Sequence, residues 1–277
     1  MGVKTKLDLK QINSFFDNYI FVDIKKTKEG ISDTVYILKD INNKSYVLKL
    51  YETNSFKKVE EEIKILNSIK HLQTPIVLDV SRKYIKPLVL FSFKKGEIKK
   101  EASLQNLKQV ATFFKQLHRI NLDFKISNDF DLKSLINKLD NNEEFIQRYK
   151  HIKDIKVEKN SLIHADLFFD NVLFYKDNLN TVLDFSNSCI SDYRFDLAII
   201  VLTWCYDKNS INENKANFFL QEYDKKITLK CIKYYLLYVC LYYALKRYIN
   251  LKEGIYKDVC YKEFLLKYDE IFSNSFN

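Results

Sequence analysis

The sequence predicts an α+β fold in two lobes, a small antiparallel β lobe holding one helix and a larger, mainly helical lobe. Three observations predict it. Short β-rich runs separated by polar turns fill the chain up to Phe93, one stripe of helical period interrupts them, and apolar stripes of helical spacing dominate the remainder of the chain. A chain of 277 residues with 47% hydrophobic content has enough apolar material for such a core. The expected division is residues 1–91 for the β-rich lobe and 92–277 for the helical lobe.

In order along the chain, strands are expected at residues 19–24, 34–38, 46–50, 76–79 and 88–93, bounded by turns such as Asp40-Ile41-Asn42-Asn43. Val59, Ile63, Leu66 and Ile69 recur at spacings of four, three and three, which is an amphipathic helix. A short crossing segment at residues 91–96 leads to the stripe Leu104, Leu107, Val110, Ala111, Phe114 and Leu117, and a second helix is expected over 132–149. Residues 172–175 and 181–185, around a polar turn at 176–180, carry a hairpin signal. Helices resume near Asp196 and run through the Tyr-rich segment at 234–248 to the C-terminus.

Composition removes several function classes. The net charge of +9 comes from scattered pairs such as Lys25-Lys26 and Lys99-Lys100, which read as a solvated surface. No zinc-finger, RNP or basic-zipper pattern accompanies it, so no nucleic-acid partner is expected, although a general attraction for anions, nucleotides included, is compatible. The five Cys contain no C-x-x-C and read as buried free thiols in a reducing compartment. The first residues lack a secretory signal. The longest uncharged apolar stretch, 234–245 between Lys233 and Lys246, is too short to span a bilayer. A cytoplasmic protein with no membrane partner is expected; the sequence leaves its oligomeric state open.

The chemistry concentrates in Ile163-His164-Ala165-Asp166 and the residues just after it. Asn171 lies five residues past Asp166, and Asp184, in Val182-Leu183-Asp184-Phe185, lies thirteen past Asn171. Transfer of a phosphoryl group to a hydroxyl needs a carboxylate to take the hydroxyl proton and oxygen ligands for Mg²⁺. Asp166 suits the first role, and Asn171 and Asp184 the second, since Mg²⁺ takes only one or two hard oxygens from protein. The hairpin between them would return Asp184 toward the loop carrying Asp166 and Asn171. A lone Asp is more often a turn residue, but the joint H-x-D-x-x-x-x-N and h-h-D-F spacing matches the kinase signature set. His164 reads as scaffold. Lys49, in Tyr46-Val47-Leu48-Lys49-Leu50, is placed to hold nucleotide phosphates if a helix Glu pairs with it, and Glu60, Glu61 and Glu62 open the next helix. Glu61 is the favoured partner, with Glu62 in reserve. Only Gly30 marks a phosphate-covering loop.

These residues resemble the homoserine kinases that share the aminoglycoside-phosphotransferase, or choline-kinase-like, fold, over nearly the whole chain. That family's I-H-A-D-L-F-P-D-N-V-L-F and V-I-D-F stand here as residues 163–174 and 182–185, with Phe169 in place of Pro. The resemblance implies a bilobal protein-kinase-like fold with the nucleotide in the first lobe and the acceptor site in the second. It implies Asp166 as the base, Asn171 and Asp184 as metal ligands, and Glu61 as the partner of Lys49. It also implies Gly30 and Ser32 in the nucleotide loop, and the Ser92 and Phe93 backbone as the adenine contact. Leu117-His118 resembles the family's L-H, and Asp196, in Phe195-Asp196-Leu197-Ala198-Ile199, would brace the catalytic loop. The family's N-D-W-C resembles Leu202-Thr203-Trp204-Cys205, losing the Asn-Asp pair that would read the acceptor. Asp33 and Trp204 are the expected substrate contacts.

The expected activity is thus MgATP-dependent phosphorylation of L-homoserine to O-phospho-L-homoserine, on the route to threonine. The alternative on the same fold is a choline, ethanolamine or aminoglycoside-type phosphotransferase. Choline recognition favours an aromatic cage, for which the Tyr-rich segment is the only sequence candidate, though its spacing is closer to that of a packed helix. An aminoglycoside site would call for an acidic face, at odds with a net charge of +9. A third reading, a catalytically silent nucleotide- or nucleic-acid-binding scaffold, conflicts with the presence of base, metal ligands and Lys together.

Overall fold

The computed structural model describes residues 4–27, 33–139, 142–254 and 260–276. The chain divides into two compact units. The first takes residues 1–97, 173–176 and 180–186, and the second takes 98–172, 177–179 and 187–277. The division therefore differs from a single cut after residue 91: the crossing segment and most of the later hairpin belong with the sheet.

The first unit opens with a helix that periodicity did not announce, α1 (Leu9–Phe15), started by a capping box in which Asp8 and Gln11 exchange hydrogen bonds. Five strands come after it, β1 (Phe21–Lys26), β2 (Thr34–Asp40), β3 (Ser45–Leu50), β4 (Val77–Ser81) and β5 (Leu88–Ser92), forming an antiparallel sheet in the order β1-β2-β3-β5-β4. Helix α2 (Phe56–Ser68) lies between β3 and β4 in the chain and is capped by Ser55. Strict alternation on β2 and β3 sends Tyr36, Leu38, Tyr46, Leu48 and Leu50 into one core with Ile12 of α1 and Phe16 just past its end. Fully burying each such side chain is worth about 1.5–3 kcal/mol.

The crossing segment is tied to the later hairpin. Glu97 and Phe174 exchange backbone hydrogen bonds of 2.9 and 3.0 Å, and a Cβ on Gly96 would stand 2.8 Å from the Leu173 Cβ. Glycine is required by that close approach. The hairpin itself pairs β7 (Val172–Tyr175) with β8 (Asn178–Val182). Its turn is two residues, Lys176 and Asp177, both at positive φ, rather than the five-residue loop expected. Shortening the turn ends β8 at Val182 and leaves Asp184 beyond the strand.

In the second unit α3 (Leu104–Leu117) buries the expected stripe from Leu107 to Leu117, joined by Asn106 and Phe113, whereas Leu104 is exposed. The single helix expected over 132–149 is instead α4 (Leu132–Ile136) and α5 (Glu143–Lys150), each with its own cap, Asp131 and Asn142. Strand β6 (Ser161–Ile163) pairs with β9 (Cys189–Ser191), and β10 (Tyr206–Asp207) with β11 (Ser210–Ile211). Helices α6 (Arg194–Trp204), α7 (Glu213–Tyr223), α8 (Leu229–Lys252) and α9 (Lys262–Ser273) complete it. Both α6 and the middle of α8 are buried nearly all round. Among the described residues no helix is long and apolar enough to cross a membrane. Cys189, Cys205 and Cys240 are buried thiols as expected, whereas Cys231 and Cys260 are exposed.

Candidate active site

In the first unit the chemistry is centred on Lys49. Strand β3 is the middle strand of the sheet, so Lys49 does not sit on an edge. Alternation places it on the face opposite Leu48 and Leu50. There Nζ donates to Asp184 Oδ1 at 2.8 Å and lies 3.4 Å from Asp33 Oδ2 and 3.8 Å from Glu62 Oε1, with the Tyr51 ring centroid 4.4 Å away. Burial pulls the ammonium down, but Asp184 and then Glu62 outweigh it and hold the Lys49 pKa well above its ordinary value.

The carboxylate that meets Lys49 from α2 is Glu62, not Glu61. The buried positions of α2 are Val59, Glu62, Ile65 and Leu66, so Glu62 falls on the inward stripe and Glu61 beside it. Burial, with Asp184 and Asp33 adding to it against Lys49, pushes the Glu62 carboxyl up to about 7. Asp33 is likewise part of this cluster rather than a substrate contact. It is buried, its Oδ1 accepts from the Glu52 N–H at 3.0 Å, and its Oδ2 faces Lys49. Gly30 and Ser32 lie outside the described residues.

Three carboxylates surround the Lys49 ammonium. The side chains of Asp33 and Glu62 are 7% and 4% exposed and that of Asp184 is 25% exposed, so Asp184 is the member a divalent cation can reach. Its backbone holds φ 59°, a left-handed conformation that costs a non-glycine residue energy and that functional sites concentrate. Among the described residues no group of three or more His, Cys, Asp or Glu could hold a metal by itself. At the crossing segment the Ser92 N–H is committed to the Ile76 carbonyl at 2.9 Å and its hydroxyl accepts from the Ile76 N–H at 3.0 Å. Of the two backbones expected at an adenine, the N–H of Ser92 is thus engaged within its own unit.

In the second unit β6 delivers the loop that carries Asp166. Ala165 sits at φ 64°, and hydrogen bonds from several side chains hold that strained residue in place. Asp196, in the first turn of α6, accepts the His164 N–H on Oδ2 and the Ala165 N–H on Oδ1, each at 2.8 Å. The ring of His118 donates from Nε2 to Asp196 Oδ2 at 3.0 Å, leaving Nδ1 to accept from the Tyr223 hydroxyl at 3.0 Å. Tyr243 donates to the Ala165 carbonyl at 2.7 Å and lies 3.2 Å from Asp166 Oδ1. Burial and then the Asp166 charge push this phenol well above its ordinary pKa, so it remains a donor. His164 is buried scaffold, its Nδ1 accepting the Asp166 N–H at 3.2 Å.

The Asp166 carboxylate is oriented from its other side by Asn187, whose Nδ2 donates to Oδ2 at 2.9 Å. Asn171, at the end of a 3₁₀ turn over Phe169–Asn171, donates its Nδ2 to the Asp166 carbonyl at 2.8 Å. That bond uses the amide nitrogen as the donor and leaves Oδ1 as the carboxamide's acceptor atom. Trp204 is not placed to touch a substrate: it is 3% exposed, its indole N–H is committed to the Leu167 carbonyl at 3.1 Å, and its ring stacks on Phe169. Phe169, standing at the first position of the 3₁₀ turn, anchors the loop through this stack. Leu202 is fully buried and the Thr203 hydroxyl bonds back to Ile199, so neither reads an acceptor. Sequence reasoning missed Asn187, Tyr243 and Lys246, the last of which donates to Asn187 Oδ1 at 3.2 Å. The only signal was that Lys246 closes the long uncharged stretch of α8.

The class of protein emerges from comparison as well as geometry. The model of the phosphotransferase enzyme family matches residues 23–225, and the chain belongs to that family. It is 24% identical to the homoserine kinase of Bartonella henselae over 260 residues, covering 81% of this chain and 79% of that one. It is 26% identical to the homoserine kinase of Parvibaculum lavamentivorans over 255 residues, covering 80% and 78%. Among solved structures, a thermostable mutant of the aminoglycoside phosphotransferase APH(4)-Ia, in ternary complex with AMP-PNP and hygromycin B, matches at a TM-score of 0.69 and 14% identity. The match covers 95% of this chain and 97% of that one. The fold is α+β and protein-kinase-like.

Proposed function

We propose that the protein is a cytoplasmic, ATP- and Mg²⁺-dependent kinase that phosphorylates the hydroxyl of L-homoserine to give O-phospho-L-homoserine, a step toward threonine. The observation that carries the reaction type is the Asp166 loop, a strained turn pinned by Asp196 whose carboxylate is oriented by Asn187 and Tyr243. The acceptor rests on the homoserine kinases matched over most of the chain. Asn171 and Asp184 are the residues that would each offer Mg²⁺ an oxygen, and the ion would supply positive charge toward the phosphates. Lys49, fixed by Glu62, binds the phosphates. Asp166 accepts the proton of the acceptor hydroxyl as its oxygen bonds to the γ-phosphorus and the bond to the ADP oxygen breaks.

A choline-type acceptor is disfavoured by the Tyr-rich helix. Tyr234 is exposed, whereas Tyr235, Tyr238, Tyr242 and Tyr243 are buried, and the hydroxyls of Tyr235, Tyr238 and Tyr243 are bonded to backbone or Asp192 within the unit. They pack a core and form no open cage. A coupled assay of ADP release across L-homoserine, choline, ethanolamine and kanamycin tests the reading. Turnover is expected with homoserine and at background with the other three; a preference for any of these would overturn the acceptor.

A further inference from the structure

Helix α8 presents two side chains to the catalytic loop from one face. Tyr243 and Lys246 are three residues apart, and residues so spaced are neighbours on a helix surface. Tyr243 meets Ala165 and Asp166 directly. Lys246 reaches Asn187, and the same carboxamide that accepts from Nζ donates to Asp166 Oδ2. A single neutral amide thus separates an ammonium from the carboxylate that takes the substrate's proton.

Arg247, the next residue on the helix, pairs with Glu263. Among the described residues no ion pair reaches Lys246, and its hydrogen bond goes to the uncharged Asn187. The Tyr242 ring centroid lies 5.9 Å from Nζ. A half-buried ammonium held in this way, with N–H groups to spare, is a receptor for an anion. The anion has to sit about one carboxamide's span from the reacting hydroxyl.

We infer that Lys246 receives the carboxylate of the acceptor and selects a short hydroxy-α-amino acid over amino alcohols and sugars. This deepens the homoserine reading and rests on it. In L-homoserine two methylenes and Cα separate the hydroxyl from the carboxylate, a span comparable with the amide bridge between Asp166 and Lys246. Asn187 then has two roles, orienting the base through Nδ2 and the ammonium through Oδ1.

The test compares L-homoserine with L-homoserinamide, in which an uncharged carboxamide replaces the carboxylate, for the wild type, Lys246→Met and Lys246→Arg. Thermal melting confirms that each variant is folded. Removing one partner of a desolvated charge pair is costly, so Lys246→Met is expected to raise KM for homoserine on the order of 100-fold. KM for homoserinamide should stay within about twofold, and Lys246→Arg should recover most of the loss. Equal losses on both acceptors, or none on either, would overturn the inference while leaving the homoserine reading intact. Should Lys246→Met fail to fold, the wild type alone decides: equal KM for the two acceptors overturns the inference, and a large preference for homoserine supports it. A wild type that leaves homoserine unphosphorylated overturns the acceptor reading and this inference together.

Discussion

Asp166 is oriented by its neighbours more than by its own backbone. One of its carboxylate oxygens accepts from Asn187, the other faces Tyr243, and the turn before it is pinned by Asp196. Replacing Asp166 by Ala removes the proposed base, and turnover is expected to fall by about 10²- to 10⁴-fold with little change in KM for ATP. Asn187→Ala leaves the base but frees it, which should lower kcat about tenfold on every acceptor tried. Steady-state kinetics separate the two, and an Asn187→Ala enzyme with unchanged kcat would remove Asn187 from the mechanism. Asp184→Asn should chiefly abolish Mg²⁺-dependent use of ATP. The neighbouring pair on α2 gives a sharper contrast. Because Glu62 and not Glu61 faces Lys49, Glu62→Gln should raise KM for ATP about tenfold and Glu61→Gln should leave it nearly unchanged. The reverse order would restore Glu61.

Elements are held to the site by a few buried polar clips, and Glu52, just past β3, is the clearest. Its carboxylate accepts from the Thr5 N–H and hydroxyl at 2.9 Å each, from Thr34, and from Lys86, while its own N–H reaches Asp33 beside Lys49. Burial pushes its pKa up, but hydrogen bonds from Lys86, Thr34 and Thr5 prevail and bring it from the usual 4.5 down to about 2. A carboxyl depressed on folding contributes stability that is complete above its unfolded pKa and is lost as pH falls through its folded one. The Glu52 contribution is therefore expected to fade between about pH 4.5 and pH 2. Glu52→Gln should lower stability at neutral pH and flatten its dependence on pH across that window, as read by urea unfolding at a series of pH values. A variant with the wild-type slope would show that the clip does not titrate.

The same scale shows how far the sequence could be read. The strands of the first unit were legible because alternation survives in β2 and β3, and Asp166, Asn171 and Asp184 stood out as candidates because their spacing is local. Three features were not. Glu61 and Glu62 differ by one step on a helix whose inward stripe includes a charged residue, and an apolar pattern does not count such a residue. The hairpin turn uses Lys176 and Asp177 at positive φ, where Asn or Gly would have announced it. Asn187 and Lys246 meet across 59 residues of chain, a contact that only tertiary structure creates.

For the whole molecule, the charge balance makes a prediction that no single contact makes. The chain carries +9 from 45 basic and 36 acidic side chains, and the proposed substrates differ in charge: MgATP is a net anion and homoserine a zwitterion. A net positive field raises the encounter rate with anions and is screened once ionic strength shortens the Debye length to about 10 Å or less. Raising NaCl from about 0.02 M to about 0.3 M should therefore weaken apparent MgATP affinity by about threefold or more. KM for homoserine, whose carboxylate would be met at close range by the half-buried Lys246, should change by less than about twofold because partly buried pairs are screened much less. Initial rates measured against each substrate in turn, with the other saturating, test both halves. Equal salt sensitivity for the two substrates would mean that the acceptor, too, is drawn by the general field, and that the ammonium on α8 meets it in solvent.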